Sequence, residues 1–289
     1  MNDLQFGMVL MNGITYGGLL FMCASGLTLI FGLMNVVNMS HGVFYLVGAY
    51  MGLTVLEITG SWVLAIIAGG IGTAVVAGFL KLSLFDRVLG DSNRETLLTL
   101  GLNLIISDIL LAIFGGTPRN VTAPEAIRVS VDLGFTRYPL IRLIILGIAI
   151  AEGIILAVLI RKTRTGQYIR AGVDDKDMTA ALGININRVF TLVFILGGFL
   201  VGTSGVLGGT YLAFSQGFDT TILTYSLVVV IMGGLGNLWG AALGALIVGL
   251  IDSFMKATVT NLAMIAIFGV LMAVLAFKPH GLLGKAVRS

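Results

Sequence analysis

The sequence predicts an all-α, polytopic transmembrane helical bundle of about eight hydrophobic units, two of them glycine-broken helices. Three features predict it. Of 289 residues, 57% are hydrophobic and only 11% are charged, less than half the roughly 25% of a soluble domain and too few to cover a water-exposed globule of this length. The apolar residues fall in runs near the ~20 residues that span a hydrocarbon core about 30 Å thick. The charged residues fall in short breaks between those runs, with no Lys or Arg before Lys81.

The same composition excludes other classes. A mean hydropathy of +1.03 rules out a disordered chain, and the single cysteine, Cys23, rules out an intrachain disulfide framework. The basic balance (net charge +3, pI ≈ 9.1) does not form an arm or patch, so no nucleic-acid partner is expected; the surrounding partner is membrane lipid. The stretch Met1–Phe6 has no positive region, and the apolar run after it is too long for a signal peptide, so the start is read as mature protein.

In chain order, residues 7–56 hold no charged side chain, which leaves room for two spans joined at the polar cluster Asn35, Asn38, Ser40 and His41. Further spans are predicted over 61–80, 96–114 (containing Asp108), 140–160 (containing Glu152), 189–213 and 259–277. The run 222–252 would extend about 46 Å as a straight helix. That is too long for one ordinary span, so it is read as a broken helix or two half-helices around Gly233-Gly234-Leu235-Gly236-Asn237. Residues 1–289 are expected to form a single transmembrane domain.

Orientation follows from the loops. Loop 161–188 carries Arg161, Lys162, Arg164, Arg170, Lys176 and Arg188, and loop 81–95 carries Lys81, Arg87 and Arg94. Two spans separate them, so both lie on one face, and the positive-inside rule makes that face cytoplasmic. Loop 115–139 then faces outward despite Arg119, Arg128 and Arg137. The tail with Lys278, Lys285 and Arg288 lies inside if 222–252 counts as an even number of crossings, which a hairpin satisfies.

Two places share a design. Asn35, Asn38, Ser40, His41 and Gly42 in the first half, and Gly233, Gly234, Gly236 and Asn237 in the second, are Gly/Asn clusters inside long apolar runs. Interrupted segments at corresponding places in two halves point to a transport path, because irregular backbone survives in hydrocarbon only when buried in protein or lining a water-filled cavity. The alternative reading of the glycines is close helix packing. His41 is read as a hydrogen-bonding residue that satisfies freed backbone, with a proton relay as the alternative. Asp108 and Glu152 lie inside predicted spans, where a carboxylate is a functional candidate by default. Glu57 and Asp252 lie near span ends and are expected to meet headgroups or water.

Catalytic chemistry is not expected. The sequence has no H-E-x-x-H, C-x-x-C or G-x-S-x-G. In the tail Gly281-Leu282-Leu283-Gly284-Lys285 the glycines are too close for a phosphate loop, and Ala286 follows the lysine. With two histidines and one cysteine, no catalytic metal centre is expected. In loop 161–188, Met178 to Leu182 is read as a short amphipathic helix ended by Gly183 at its C′ position, with neighbouring Asp residues suited to its N-terminus.

Four segments together resemble a known family: Asn38-Met-Ser-His41-Gly42; the loop from Gly166, Arg170 and Ala171 to Ala180, Leu182 and Gly183; Gly233-Gly234-Leu235-Gly236-Asn237; and Lys278-Pro279-His280-Gly281-Leu282-Leu283-Gly284. They are spread over most of the chain and are similar to the branched-chain amino acid (LivH-type) permease subunits of ABC importers in the bacterial inner membrane. The resemblance implies a multi-pass, non-catalytic permease that works with a second permease subunit, usually as a heterodimer, and with a periplasmic binding protein. It also implies two cytoplasmic ATPase subunits that bind ATP and Mg and grip a loop like 166–183. Two positions depart from the family pattern: Val43 stands where relatives often have an acidic residue, and Leu238-Trp239 where many have a proline. The largely apolar path suits Leu, Ile or Val. Urea, short amides, other neutral amino acids and aromatic acids remain alternatives within the family, and a self-sufficient secondary transporter or channel remains one outside it.

Overall fold

A computed structural model describes residues 3–34, 38–134 and 136–284, with the main chain alone for Asp3 and Lys176. Eleven α-helices dominate them: α1 (Asp3–Met34), α2 (His41–Thr59), α3 (Trp62–Ser83), α4 (Ser92–Phe114), α5 (Leu140–Lys162), α6 (Arg164–Asp174), α7 (Lys176–Ala181), α8 (Ile186–Tyr211), α9 (Phe218–Gly233), α10 (Leu238–Thr258) and α11 (Ala263–Phe277). Among the described residues, eight helices are long and apolar enough to cross a membrane, and α9 is a shorter apolar helix. This is the polytopic helical bundle expected from the composition.

The helix ends follow local chemistry. The carboxylate of Asp91 accepts from the N–H groups of Asn93 and Arg94 (both 3.1 Å) and opens α4, and Asn185 caps α8 through the N–H of Arg188 (3.1 Å). Each such side chain satisfies donors that the first helical turn leaves free. Thr28 and Ser25, inside α1, donate back to the carbonyls of Ala24 (2.7 Å) and Met22 (2.8 Å), which lets hydroxyls sit in an apolar helix.

The centre of the bundle is built from α1, α2 and α8, with α9 and α10 closing a second core against α1. The helices approach closely where they lack side chains: a Cβ on Gly48 of α2 would lie 2.5 Å from Gly202 of α8. Small-residue contacts of this kind replace the hydrophobic drive that lipid does not supply. Helices α3, α4, α5 and α11 ring the centre and present large apolar side chains outward, among them Val75, Leu104, Ile155 and Ile265.

The two faces are distinct. The basic loops, the turn between α9 and α10, and the segment 278–284 lie on one. On the other, residues 115–139 form a small antiparallel hairpin, β1 (Ser130–Asp132) with β2 (Arg137–Pro139), and an isolated bridge ties Arg119 to Phe214, both N–H···O bonds 2.9 Å. Buried Tyr138 on β2 hydrogen-bonds Thr15 of α1 (3.0 Å), and burial raises its phenol pKa above the usual value.

One expectation is corrected. Asp252 does not meet headgroups or water: it is buried, paired with Lys256 at 2.7 Å and hydrogen-bonded by the Tyr225 hydroxyl at 3.3 Å. The physical reason is that α10 packs against α9, so the helix face carrying Asp252 meets Tyr225 rather than lipid. Glu57 is exposed near the end of α2.

Candidate functional site

Two helices begin partway along the bundle rather than at one of its ends. His41, the first residue of α2, is fully buried, and its Nε2 donates to the carbonyl of Cys23 (2.8 Å) in the body of α1. A carbonyl only accepts, so this bond puts a proton on Nε2. Cys23 lies about 16 Å along α1 from Met34, at 1.5 Å per residue. The chain therefore turns back after α1 and starts α2 beside the body of α1 rather than at its end. Helix α9 begins at the same depth: Asp219, in its first turn, is bonded by Asn103, the midpoint of α4 (Asn103 Nδ2 to Asp219 Oδ2, 3.3 Å). Gly42 and Asp219 meet so closely that a Cβ on Gly42 would overlap the Asp219 carbonyl oxygen.

This interior junction is polar. Asn38 Oδ1 accepts from the N–H (3.0 Å) and the hydroxyl (2.6 Å) of Ser40, and the Asn38 carbonyl accepts from the N–H of His41 (3.1 Å). Asn38, Ser40, His41 and Asp219 are all buried. Among the described residues, four atoms of the junction are buried with no hydrogen-bond partner: Asn38 Nδ2, His41 Nδ1, Asn103 Oδ1 and Asp219 Oδ1. Leaving such groups bare costs about 1–3 kcal/mol each, so the place is built for something other than stability. Asn35 lies outside the described residues.

Asp108 stands further along α4 toward the hairpin face, exposed, with the Gln216 amide 3.4 Å from its Oδ1. Asn103, which precedes it on α4, bonds Asp219. Glu152 of α5 accepts from Thr203 (3.2 Å), and its other oxygen is buried without a partner. Among the described residues, no group of three or more His, Cys, Asp or Glu could hold a metal ion.

The second glycine cluster is a reversal. Gly233 ends α9, Gly234 and Gly236 adopt positive φ (106° and 74°), and Asn237 caps α10 through the N–H groups of Trp239 (3.0 Å) and Gly240 (3.1 Å). Positive φ is open to glycine at little cost. The turn lies on the basic face, not at mid-depth, and α9 and α10 form an antiparallel hairpin. The segment 278–284 lies over it: Leu282 N–H bonds the Met232 carbonyl (2.8 Å), Leu283 N–H bonds the Gly233 carbonyl (3.1 Å), and Asn237 Nδ2 donates to the Leu283 carbonyl (2.6 Å). The tail is thus on the basic face, as an even number of crossings requires.

The loop 163–185 holds two helices. In α6, Gly166 and Ile169 are buried, Ala171 is half-buried, and Arg170 is exposed with its guanidinium on the carbonyl of Ile160. Asp175 caps α7 through the N–H groups of Asp177 (3.0 Å) and Met178 (2.9 Å), and Gly183, at φ 82°, follows its end. Ala180 is exposed, as are Met178 (61%) and Leu182 (74%). Beside α6, a cavity of about 500 Å³ is lined by Gly32, Arg161, Arg170, Asp174, Gly236 and Asn237, so the loop and the α9–α10 turn share one space.

Sequence reasoning missed Asp219 and α6. Asp219 is the lone acidic residue between Met178 and Ile251, a signal that was available, but it sits just outside the apolar run 222–252 and reads as loop. Helix α6 is polar and shows no apolar run.

Comparison with known proteins places this architecture. The family model "Branched-chain amino acid transport system / permease component" matches residues 9–275. The high-affinity branched-chain amino acid transport system permease protein LivH of Escherichia coli (strain K12) is 27% identical, covering 98% of this chain and 96% of the relative. The corresponding protein BraD of Pseudomonas aeruginosa is 27% identical over 96% of this chain and 95% of its own. The probable branched-chain amino acid transport permease protein LivH of Methanocaldococcus jannaschii is 28% identical over 88% and 82%. No solved structure matches the chain. With its eight apolar spans, its interior helix starts and a family match over nearly its whole length, the chain belongs to the family of permease components of branched-chain amino acid transport systems.

Proposed function

We propose that the chain is the membrane-spanning permease subunit of an ATP-driven importer of branched-chain or other neutral amino acids, in the bacterial inner membrane. The family match over residues 9–275 carries the reading. A periplasmic binding protein delivers substrate to the face bearing the β-hairpin, and a second permease subunit completes the path. Two cytoplasmic ATPase subunits, which hold ATP and Mg, dock on the basic face. The chain itself performs no catalytic step.

The geometry of the basic face supports this division of labour. Met178, Ala180 and Leu182 expose apolar surface on a short capped helix, a shape suited to a groove on a partner. Helix α6 connects that helix to the cavity it shares with the α9–α10 turn. A partner that binds α7 differently in two states would bias the turn through α6. Gly166, Arg170, Ala171 and Gly183 shape the loop, and Gly233, Gly234, Gly236 and Asn237 form the element it reaches. On the substrate side, Asn38, Ser40, His41, Gly42 and Asp108 line or approach the interior junction.

The test is reconstitution of this chain with its second permease, ATPase and binding-protein partners in liposomes. Uptake of leucine, isoleucine or valine that requires ATP is the expected result. Uptake driven by an ion gradient without ATP would overturn the reading.

A further inference from the structure

We propose that Asn103 and Asp219 form a subsite for the primary ammonium group of the transported amino acid, at the middle depth of the membrane; this rests on the amino-acid reading above. Asn103 donates its Nδ2 to Asp219 Oδ2 (3.3 Å), and this leaves Asn103 Oδ1 and Asp219 Oδ1 buried without partners. Both bare atoms are acceptors. Two acceptors brought together from α4 and α9 call for one group with several N–H donors, and a primary ammonium carries three.

Among the described residues, none supplies that donor. Helices α2 and α9 contain no Lys or Arg, and among the described residues Asp219 has no ion pair. Asp252 shows the contrast. It is equally buried, yet Lys256 and Tyr225 answer it. Glu152 also leaves one oxygen bare, but its neighbour is a threonine hydroxyl and no second bare acceptor accompanies it. Asp108 lies about 7.5 Å further along α4, at 1.5 Å per residue, toward the β-hairpin face, and the Gln216 amide lies 3.4 Å from it.

A group of opposite polarity lies across the junction. Asn38 Nδ2 is a buried donor without a partner among the described residues. It precedes the first turn of α2, whose Gly42 rests on the Asp219 carbonyl, and a helix N-terminus favours negative charge. Acceptors on α4 and α9 and donors at the start of α2 match the two ends of a zwitterion.

The experiment uses the complete transporter in lipid nanodiscs. Carbodiimide modification of Asp219 is followed by peptide mass spectrometry, alone, with saturating leucine, and with 2-hydroxy-4-methylpentanoate, which replaces the ammonium by a hydroxyl. Saturating leucine is expected to slow modification about tenfold or more, because only the unoccupied fraction of sites stays open to the reagent, and the hydroxy acid to leave it unchanged. In parallel, Asp219→Asn and Asn103→Leu should lower uptake per assembled complex. Equal modification with and without leucine, equal protection by the hydroxy acid, or wild-type uptake by Asn103→Leu overturns the subsite. Asn103→Leu keeps the carboxylate and decides the case if Asp219→Asn does not assemble. Wild-type complex that takes up no amino acid would refute the transport reading instead; wild-type uptake with unprotected Asp219 refutes only the subsite.

Discussion

Gly42 sets the spacing of the interior junction. Its missing Cβ lets the start of α2 rest on the Asp219 carbonyl at the start of α9. Gly42→Ala puts a methyl group where that oxygen stands, so one helix start must move. Overpacking of this kind costs about 1–3 kcal/mol. The melting temperature of the assembled complex should fall relative to wild type, and uptake should fall with it, because displacing α9 shifts Asp219 against Asn103. An unchanged melting temperature would show that the two helix starts do not touch. Glycine at this point is therefore a matter of contact alone, whereas Gly234 combines a positive φ with a close approach to Gly284.

Helix α7 is the element most open to a direct test. It is short, capped by Asp175 and followed by Gly183, and its apolar residues face out. Leu182→Asp should abolish co-purification of the ATPase subunits while the chain still inserts in the membrane; unchanged co-purification would remove α7 from the docking surface. This element was legible in the sequence, since an Asp before a short helical stretch and a Gly after it are local signals. The long spans were legible for the same kind of reason, as length and hydropathy are properties of contiguous residues. Helix α9 was only half legible: at 16 residues it is too short to stand as a span, and the apolar run merges it with α10. The depth of Asp219 was not legible at all. It is set by the return of 212–217 into the bundle, which depends on the pairing of Phe214 with Arg119 far away in sequence. The interior start of α2 is a similar case, because it depends on His41 finding the Cys23 carbonyl.

At the scale of the whole molecule, the bundle divides into a polar interior junction, an apolar outer ring and a basic face where several segments converge. Asn237 joins two of them, capping α10 with its oxygen and holding the Leu283 carbonyl with its nitrogen. Asn237→Ala should lose about 1 kcal/mol from the cap and release the tail, seen as faster hydrogen exchange at the amides of Leu282 and Leu283. Asn237→Asp keeps the cap and loses only the donor, so its exchange should fall between the two; wild-type exchange in both variants would show that the tail is held without Asn237. The tail's hold on the α9–α10 turn also orders events during synthesis. The carbonyls of Met232 and Gly233 receive their partners from Leu282 and Leu283, residues made only after α10 and α11. At about 5–20 residues per second, roughly 3–10 s separate translation of the turn from translation of the segment that covers it. Throughout that interval the turn is bare, and a nascent chain stalled before Leu282 would carry every helix of the bundle with the turn still unlatched.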